Sequence, residues 1–149
     1  MRHEFRNKGD DWFDKVLDTN AVKNHYNTRP KQQVFRENVI KRYGAYCAVC
    51  GIRVRELLEA AHIIEKKDHG IDDPRNALVL CYLHHRAFDL GLFGIEPDTL
   101  QIHYLPKGPK ANDLKIRYAD IDHLHKRPHP DVLRWRWNVW QKMLGDACQ

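Results

Sequence analysis

Four side chains in this sequence have the type and spacing of a metal cage. Cys47 and Cys50 form a Cys-x-x-Cys, and Cys81 and His84 form a Cys-x-x-His. Tetrahedral zinc takes four Cys or His ligands, commonly two from each of two tight knuckles. Gly51 follows the second cysteine, where the backbone of a knuckle must fold back toward the ion. One ion would pin the first knuckle to the far end of the spacer, and in a chain with a modest core that closure adds folding free energy. Two other readings stay open: buried reduced cysteines beside a surface histidine, or a redox Cys-x-x-Cys, which lacks its usual βαβ setting. His85 follows His84 directly. Successive helical residues point about 100° apart. His84 can therefore close the zinc site while His85 faces a second, different metal ion.

Two further residues fall between the cysteine pairs: His62 and Asn76. Their positions depend on the elements around them. PKQQVFRENVIKRY (30–43) reads as a helix, with Pro30 in its first turn, Val34, Phe35, Val39 and Tyr43 near one face, and Gly44 as its stop. Ile52–Val54 and Leu57–Ile64 read as a hairpin with Arg55-Glu56 near the turn, which puts His62 at the end of an apolar strand. Residues 65–75 are polar with Gly70 and Pro74, a loop that leads through Asn76 and a short apolar run into Cys81. Tyr82–Asp89 reads as a short helix carrying both adjacent histidines, with Gly91 after it. A second hairpin follows, Leu92–Ile95 and Leu100–Tyr104 around a turn at 96–99, then a basic loop at 106–109. The chain closes in a helix over Pro130–Leu144 with the stripe Leu133, Trp137, Trp140, Leu144. Near the start, Trp12, Phe13, Val16 and Leu17 suggest one small helix.

Composition narrows the class. The 149 residues are 42% hydrophobic and 30% charged, enough for one domain with a modest core. No apolar run approaches the roughly 20 residues of a membrane helix. The N-terminal stretch MRHEFRNKGDDWFDKVLD is too charged for a secretory leader, so a cytoplasmic location is expected. A reducing compartment argues against disulfides, and Cys148 is expected to be a free thiol. The net charge of +5 is unevenly spread. Residues 29–58 hold seven basic and two acidic side chains, 59–100 four and eight, and 101–149 nine and five. Basic flanks suit a phosphate backbone and an acidic centre suits a divalent cation, although a solvated surface would look similar.

The stretches FRENVIKRYGAYCAVCG, LLEAAHI and NALVLCYLHHRAFDLGL together resemble the HNH, or ββα-metal, endonucleases, and most of all their restriction-type branch. The tail HPDVLRWRWNVW is similar to the closing segment of that branch. The likeness is close over about 70 residues and looser over about 120, and its motif parts occur in order with interleaved zinc knuckles. It implies an α+β fold: a ββα-metal core stapled by structural zinc, with helices before and after. It implies a single domain over 1–149, with an extension at 1–28, the core at 30–104 and a C-terminal loop and helix at 105–149.

The resemblance also implies an activity, hydrolysis of DNA phosphodiester bonds to 5′-phosphate and 3′-hydroxyl ends, in restriction or defence against foreign DNA. In it His62 is the general base, a residue type whose ordinary pKa lies near neutrality. His85 ligates one catalytic Mg²⁺ or Mn²⁺, which stabilises the phosphorane and the leaving oxygen. Asn76 fixes the loop against the strand and orients the His62 ring, or touches the metal. Many HNH domains place an Asp or His just before the base, whereas Ala61 stands there in this chain and in the restriction-type branch. Asp89, one turn after His85, is a candidate second ligand against a plain salt bridge. Glu59 is a further candidate, pointed away from Ala60 by strand alternation.

The expected partner is DNA, read as double-stranded, with a homodimer as one way to cut both strands and no membrane or small-molecule cofactor. Relatives often carry this unit after a domain that reads modified bases. Here specificity is expected from residues 1–43, the tail, a dimer or a partner, or is absent. Arg134 and Arg136 read as exposed beside the Trp stripe, with DNA contact open. His3, His25, His69, His103, His123, His125 and His129 fit no spacing and read as solvent-facing, with His69 close enough in sequence to touch substrate. The reading of another class is a zinc-stabilised nucleic-acid-binding module without catalysis.

Overall fold

A computed structural model describes residues 30–147. The described residues from Phe35 onward make one compact unit. The expected helix near Trp12, together with His3, His25 and Cys148, lies outside the described residues. In chain order the elements are α1 (Pro30–Tyr43), β1 (Leu58–His62), β2 (Ala77–Cys81), α2 (Tyr82–Asp89), β3 (Phe93–Ile95), β4 (Ile102–Tyr104), α3 (Ala111–Leu114) and α4 (Pro130–Ala147). Short 3₁₀ turns occupy Arg55–Leu57, Lys66–Asp68 and Pro74–Asn76. The architecture is α+β, with two separate two-stranded antiparallel sheets and helices around them.

The first sheet corrects the expected hairpin. β1 pairs with β2, not with residues 52–54, in the register Glu59↔Leu80 and His62↔Ala77. Residues 52–54 have another task. The Cys47 N–H donates to the Ile52 carbonyl at 2.9 Å and closes the first knuckle, and Val54 leads into a 3₁₀ turn. β2 was legible only as an apolar run because all five of its residues are buried, which removes any alternation of polar and apolar side chains. The second hairpin forms as expected, β3 against β4.

The core gathers Val39 and Ile40 from α1, Leu58 and Ala61 from β1, Leu78 to Leu80 from β2, Phe88 from α2 and Phe93 from β3. In α1, Ile40 takes the place expected of Val34, which is 61% exposed. From α4, Leu133 and Trp140 are buried. Trp140 donates its indole N–H to the Gly91 carbonyl at 3.0 Å. A Cβ on Gly94 would sit 2.5 Å from the Trp140 ring, so β3 needs glycine at that point to let α4 approach. Among the described residues no helix is long and apolar enough to cross a membrane.

Candidate active site and metal centre

The two cysteine-bearing turns meet. Among the described residues, Cys47, Cys50, Cys81 and His84 are the one group of three or more metal-ligating side chains whose donor atoms all lie within 4.8 Å of one another. His84 Nδ1 is 3.6 Å from Cys47 Sγ and 3.2 Å from Cys81 Sγ, and Cys50 Sγ is 4.0 Å from Cys81 Sγ. A zinc tetrahedron with bonds of about 2.0–2.3 Å has edges of roughly 3.3–3.8 Å, close to these separations, so the cluster is compatible with that ion. Local structure builds it. Gly51, at φ +79°, turns the first knuckle so that its N–H reaches the Cys47 carbonyl at 2.9 Å. The second pair comes from the last residue of β2 and the first turn of α2. His84 sets Nε2 2.7 Å from the Leu114 carbonyl, which fixes Nε2 as the N–H and leaves Nδ1 as the ligand atom.

The thiols also show what a cation would relieve. The Cys81 thiol hydrogen-bonds Cys47, holding Cys47 below the ordinary thiol range while Cys81 is pushed up to about 11. Burial pushes Cys50 up as well. Three crowded sulfurs cannot all ionise without a positive charge among them, and a cysteine coordinates metal as thiolate.

His85 diverges from His84 as successive helical residues must. His84 is 1% exposed, whereas the His85 side chain is 24% exposed and stands between two carboxylates. Glu59 Oε1 is 3.2 Å from its Nδ1, and Asp89 Oδ2 is 3.4 Å from its Nε2. The carboxylates bracket the ring from opposite edges and do not converge with it on one point, so these three are brought together without forming a closed cage. Their donor types, an imidazole and two hard oxygen ligands, suit Mg²⁺ or Mn²⁺. Burial pushes the Asp89 carboxyl up, with the His85 charge acting the other way. Ala61 is fully buried in the core and supplies nothing. Glu59, two residues earlier on β1, is the strand residue that reaches His85. Strand alternation and the α2 helix were both legible, but that β1 packs beside α2 was not.

His62 ends β1 with its ring stacked on Phe35 of α1, centroids 4.5 Å apart and planes 17° from parallel. Its Nε2 lies 2.9 Å from Asp72 Oδ1. The Lys66 ammonium beside Asp72, together with His62, holds that carboxyl below the usual carboxylate range. Asp72 carried no sequence signal, because it reaches His62 only through the loop's path.

Asn76 is 2% exposed and spends its amide on backbone. Its Oδ1 accepts from Ile64 N–H at 2.9 Å, and its Nδ2 donates to the Ile64 and Ile71 carbonyls at 3.1 and 3.0 Å. It ties the loop to the end of β1. The partner of the His62 ring is Asp72, so the expected contact between Asn76 and that ring is replaced. The Pro74–Asn76 turn that carries it is capped by Asp73, which accepts from Arg75 N–H at 2.8 Å.

Arg136 corrects another expectation, since it is not exposed. Its guanidinium lies 4.2 Å over the Phe88 ring and donates to the Phe88 carbonyl at 2.6 Å and the Ile63 carbonyl at 3.3 Å. Arg134 is exposed and pairs with Asp98 at 3.1 Å. Of the remaining histidines, His103 is half-buried between Glu96 and Trp137, while His69, His123, His125 and His129 are exposed.

Residues 47–96 match the family model described as HNH endonuclease. That span contains every zinc-cage residue together with Glu59, His62, Asp72, Asn76, His85 and Asp89. No curated protein matches the chain.

Proposed function

With an HNH endonuclease domain at residues 47–96 as the premise, we propose that this protein is a metal-dependent DNA endonuclease acting in restriction or defence. The observation that carries the reading is the pairing of two half-exposed imidazoles with carboxylates inside that span, His62 with Asp72 and His85 with Glu59 and Asp89.

His62 is the general base. With Nε2–H donating to Asp72, its Nδ1 keeps a free lone pair that can take a proton from the attacking water. Phe35 stacked on one face limits rotation of the ring. Asn76 holds the loop that carries Asp72 against the end of β1. His85, Asp89 and Glu59 would supply the imidazole and carboxylate donors for a divalent cation, Mg²⁺ or Mn²⁺, once the two carboxylates turn from the ring edges toward a shared point, and its charge would offset that of the phosphate and the departing 3′ oxygen. The zinc cage stands apart from this chemistry and holds β2 and α2 to the first knuckle. Products would carry 5′-phosphate and 3′-hydroxyl ends.

The test is incubation of supercoiled plasmid with zinc-loaded protein and Mg²⁺ or Mn²⁺. The wild type should nick and linearise it, and His62→Ala should lower the rate by about 10²–10⁴ while remaining folded. Undiminished cutting by His62→Ala would remove His62 from the mechanism. Binding without any cutting would favour a non-catalytic nucleic-acid-binding module. Matched modified and unmodified DNA, with the ends sequenced, then separates a restriction enzyme from a non-specific nuclease.

A further inference from the structure

A cleft of about 440 Å³ opens beside the C-terminal half of α1, lined by Asn38, Lys41, Arg42, Asp73, Arg75 and Lys126. Its charge is one-sided. Arg75 and Asp73 neutralise each other through contacts of 3.0 and 2.7 Å, and the Arg75 guanidinium beside Asp73 holds that carboxyl down to about 2, so the pair stays ionised and internally balanced. Lys41, Arg42 and Lys126 are left as three cations around one concavity. Arg42 gives one terminal N–H to the Arg127 carbonyl at 2.7 Å, and its Nε has no hydrogen-bond partner among the described residues.

The position of the cleft gives this charge a use. Phe35, which stacks on the His62 ring, and Arg42 are seven residues apart on α1. Seven residues are nearly two full turns, so both lie on one face of the helix, about 10 Å apart along its axis. The loop beneath the cleft is the same Asp73–Asn76 turn that Asn76 fastens to the end of β1.

We infer that this cleft is a phosphate-binding subsite for the DNA backbone, in which Lys41, Arg42 and Lys126 hold the strand along α1 away from the phosphate presented to His62. It rests on the proposed function only for the identity of the substrate. The subsite orients the duplex along α1 and adds affinity without reading base sequence, as phosphate contacts do.

The test measures binding and not cutting. A duplex of about 20 base pairs is titrated with zinc-loaded protein in the absence of added Mg²⁺ or Mn²⁺, across a series of salt concentrations. Each lost phosphate contact lowers the slope of log K against log salt by about 0.9. Lys41→Gln with Lys126→Gln should therefore lower it by about 2, with unchanged zinc content and melting temperature. Lys107→Gln with Lys142→Gln, both exposed and outside the cleft, changes net charge equally and should leave the slope near the wild-type value. A wild-type slope in the cleft variant, or an equal drop in the control, would overturn the subsite. A wild type that never cuts plasmid but shows the cleft-specific slope change would sink the nuclease reading and leave the subsite standing.

Discussion

At the scale of single residues, what matters most is which side chain each histidine meets. His62 meets Asp72 and Phe35, His84 meets sulfur and the Leu114 carbonyl, and His85 meets Glu59 and Asp89. Three copies of one residue type thus have three environments, and only the tertiary partners distinguish them. Asp73 illustrates how such a partner writes itself into pH dependence. Arg75 holds its carboxyl at about 2, below the unfolded value of about 3.9. A carboxyl lowered on folding contributes stability that is present above the unfolded pKa and is lost as pH falls through the folded one. Asp73→Asn should keep the cap on Arg75 N–H but lose this charge term. The melting temperature of the variant should lie below that of the wild type at pH 7, with the gap narrowing as pH falls from about 4 to about 2. A gap constant with pH would mean that the charge pair contributes nothing.

At the scale of elements, the site is a junction of β1, α2 and the loop between the strands. Arg136 of α4 fastens two of them, bonding the carbonyl that follows His62 and the one that precedes Asp89. Ile63 and Phe88 are both buried; the Phe88 carbonyl also accepts from the Gly91 N–H at 3.0 Å, so losing the guanidinium leaves the Ile63 carbonyl with unmet demand and weakens the hold on α2. Arg136→Ala should destabilise the zinc-loaded protein by about 1–3 kcal/mol in urea unfolding. Arg136→Lys should recover only part of that, because an ammonium cannot reproduce the planar fork that serves two acceptors. Full recovery by lysine would reduce the role of Arg136 to charge alone. The same packing explains why the tail misled sequence reading. Arginine is usually exposed, and the helical stripe identified Trp140 and Leu133 as core but could not show that α4 lies across the ends of β1 and α2.

At the scale of the whole molecule, the Cys₃His cluster joins the first knuckle to α2, and a zinc ion in it would close the chain from Cys47 to His84 around the strands. Chelation of zinc should therefore abolish cooperative thermal unfolding, and refilling should restore it. His84→Ala should lower both zinc content and melting temperature. His85→Ala should remain folded and zinc-loaded but fail to cut plasmid. Equal loss of zinc in both variants would contradict the division of labour between the adjacent histidines.

The sequence by itself determined the Cys₃His cluster, the span of α2, the second hairpin and the α+β class, because each rests on local spacing or on a short period that survives without its neighbours. Cys-x-x-Cys and Cys-x-x-His are turn geometries, and Tyr82–Asp89 ends at its own stop. Only the tertiary structure decided the partner of β1, since a fully buried β2 has no alternation to read, and a nearer stretch, Ile52–Val54, looked equally suited until the knuckle used it. It also decided that Asp72 faces His62, that Glu59 reaches His85 where Ala61 gives no ligand, and that Arg136 is a clamp. These contacts join residues between 10 and 73 positions apart through packed elements, and no spacing rule along the chain encodes the direction in which a loop returns.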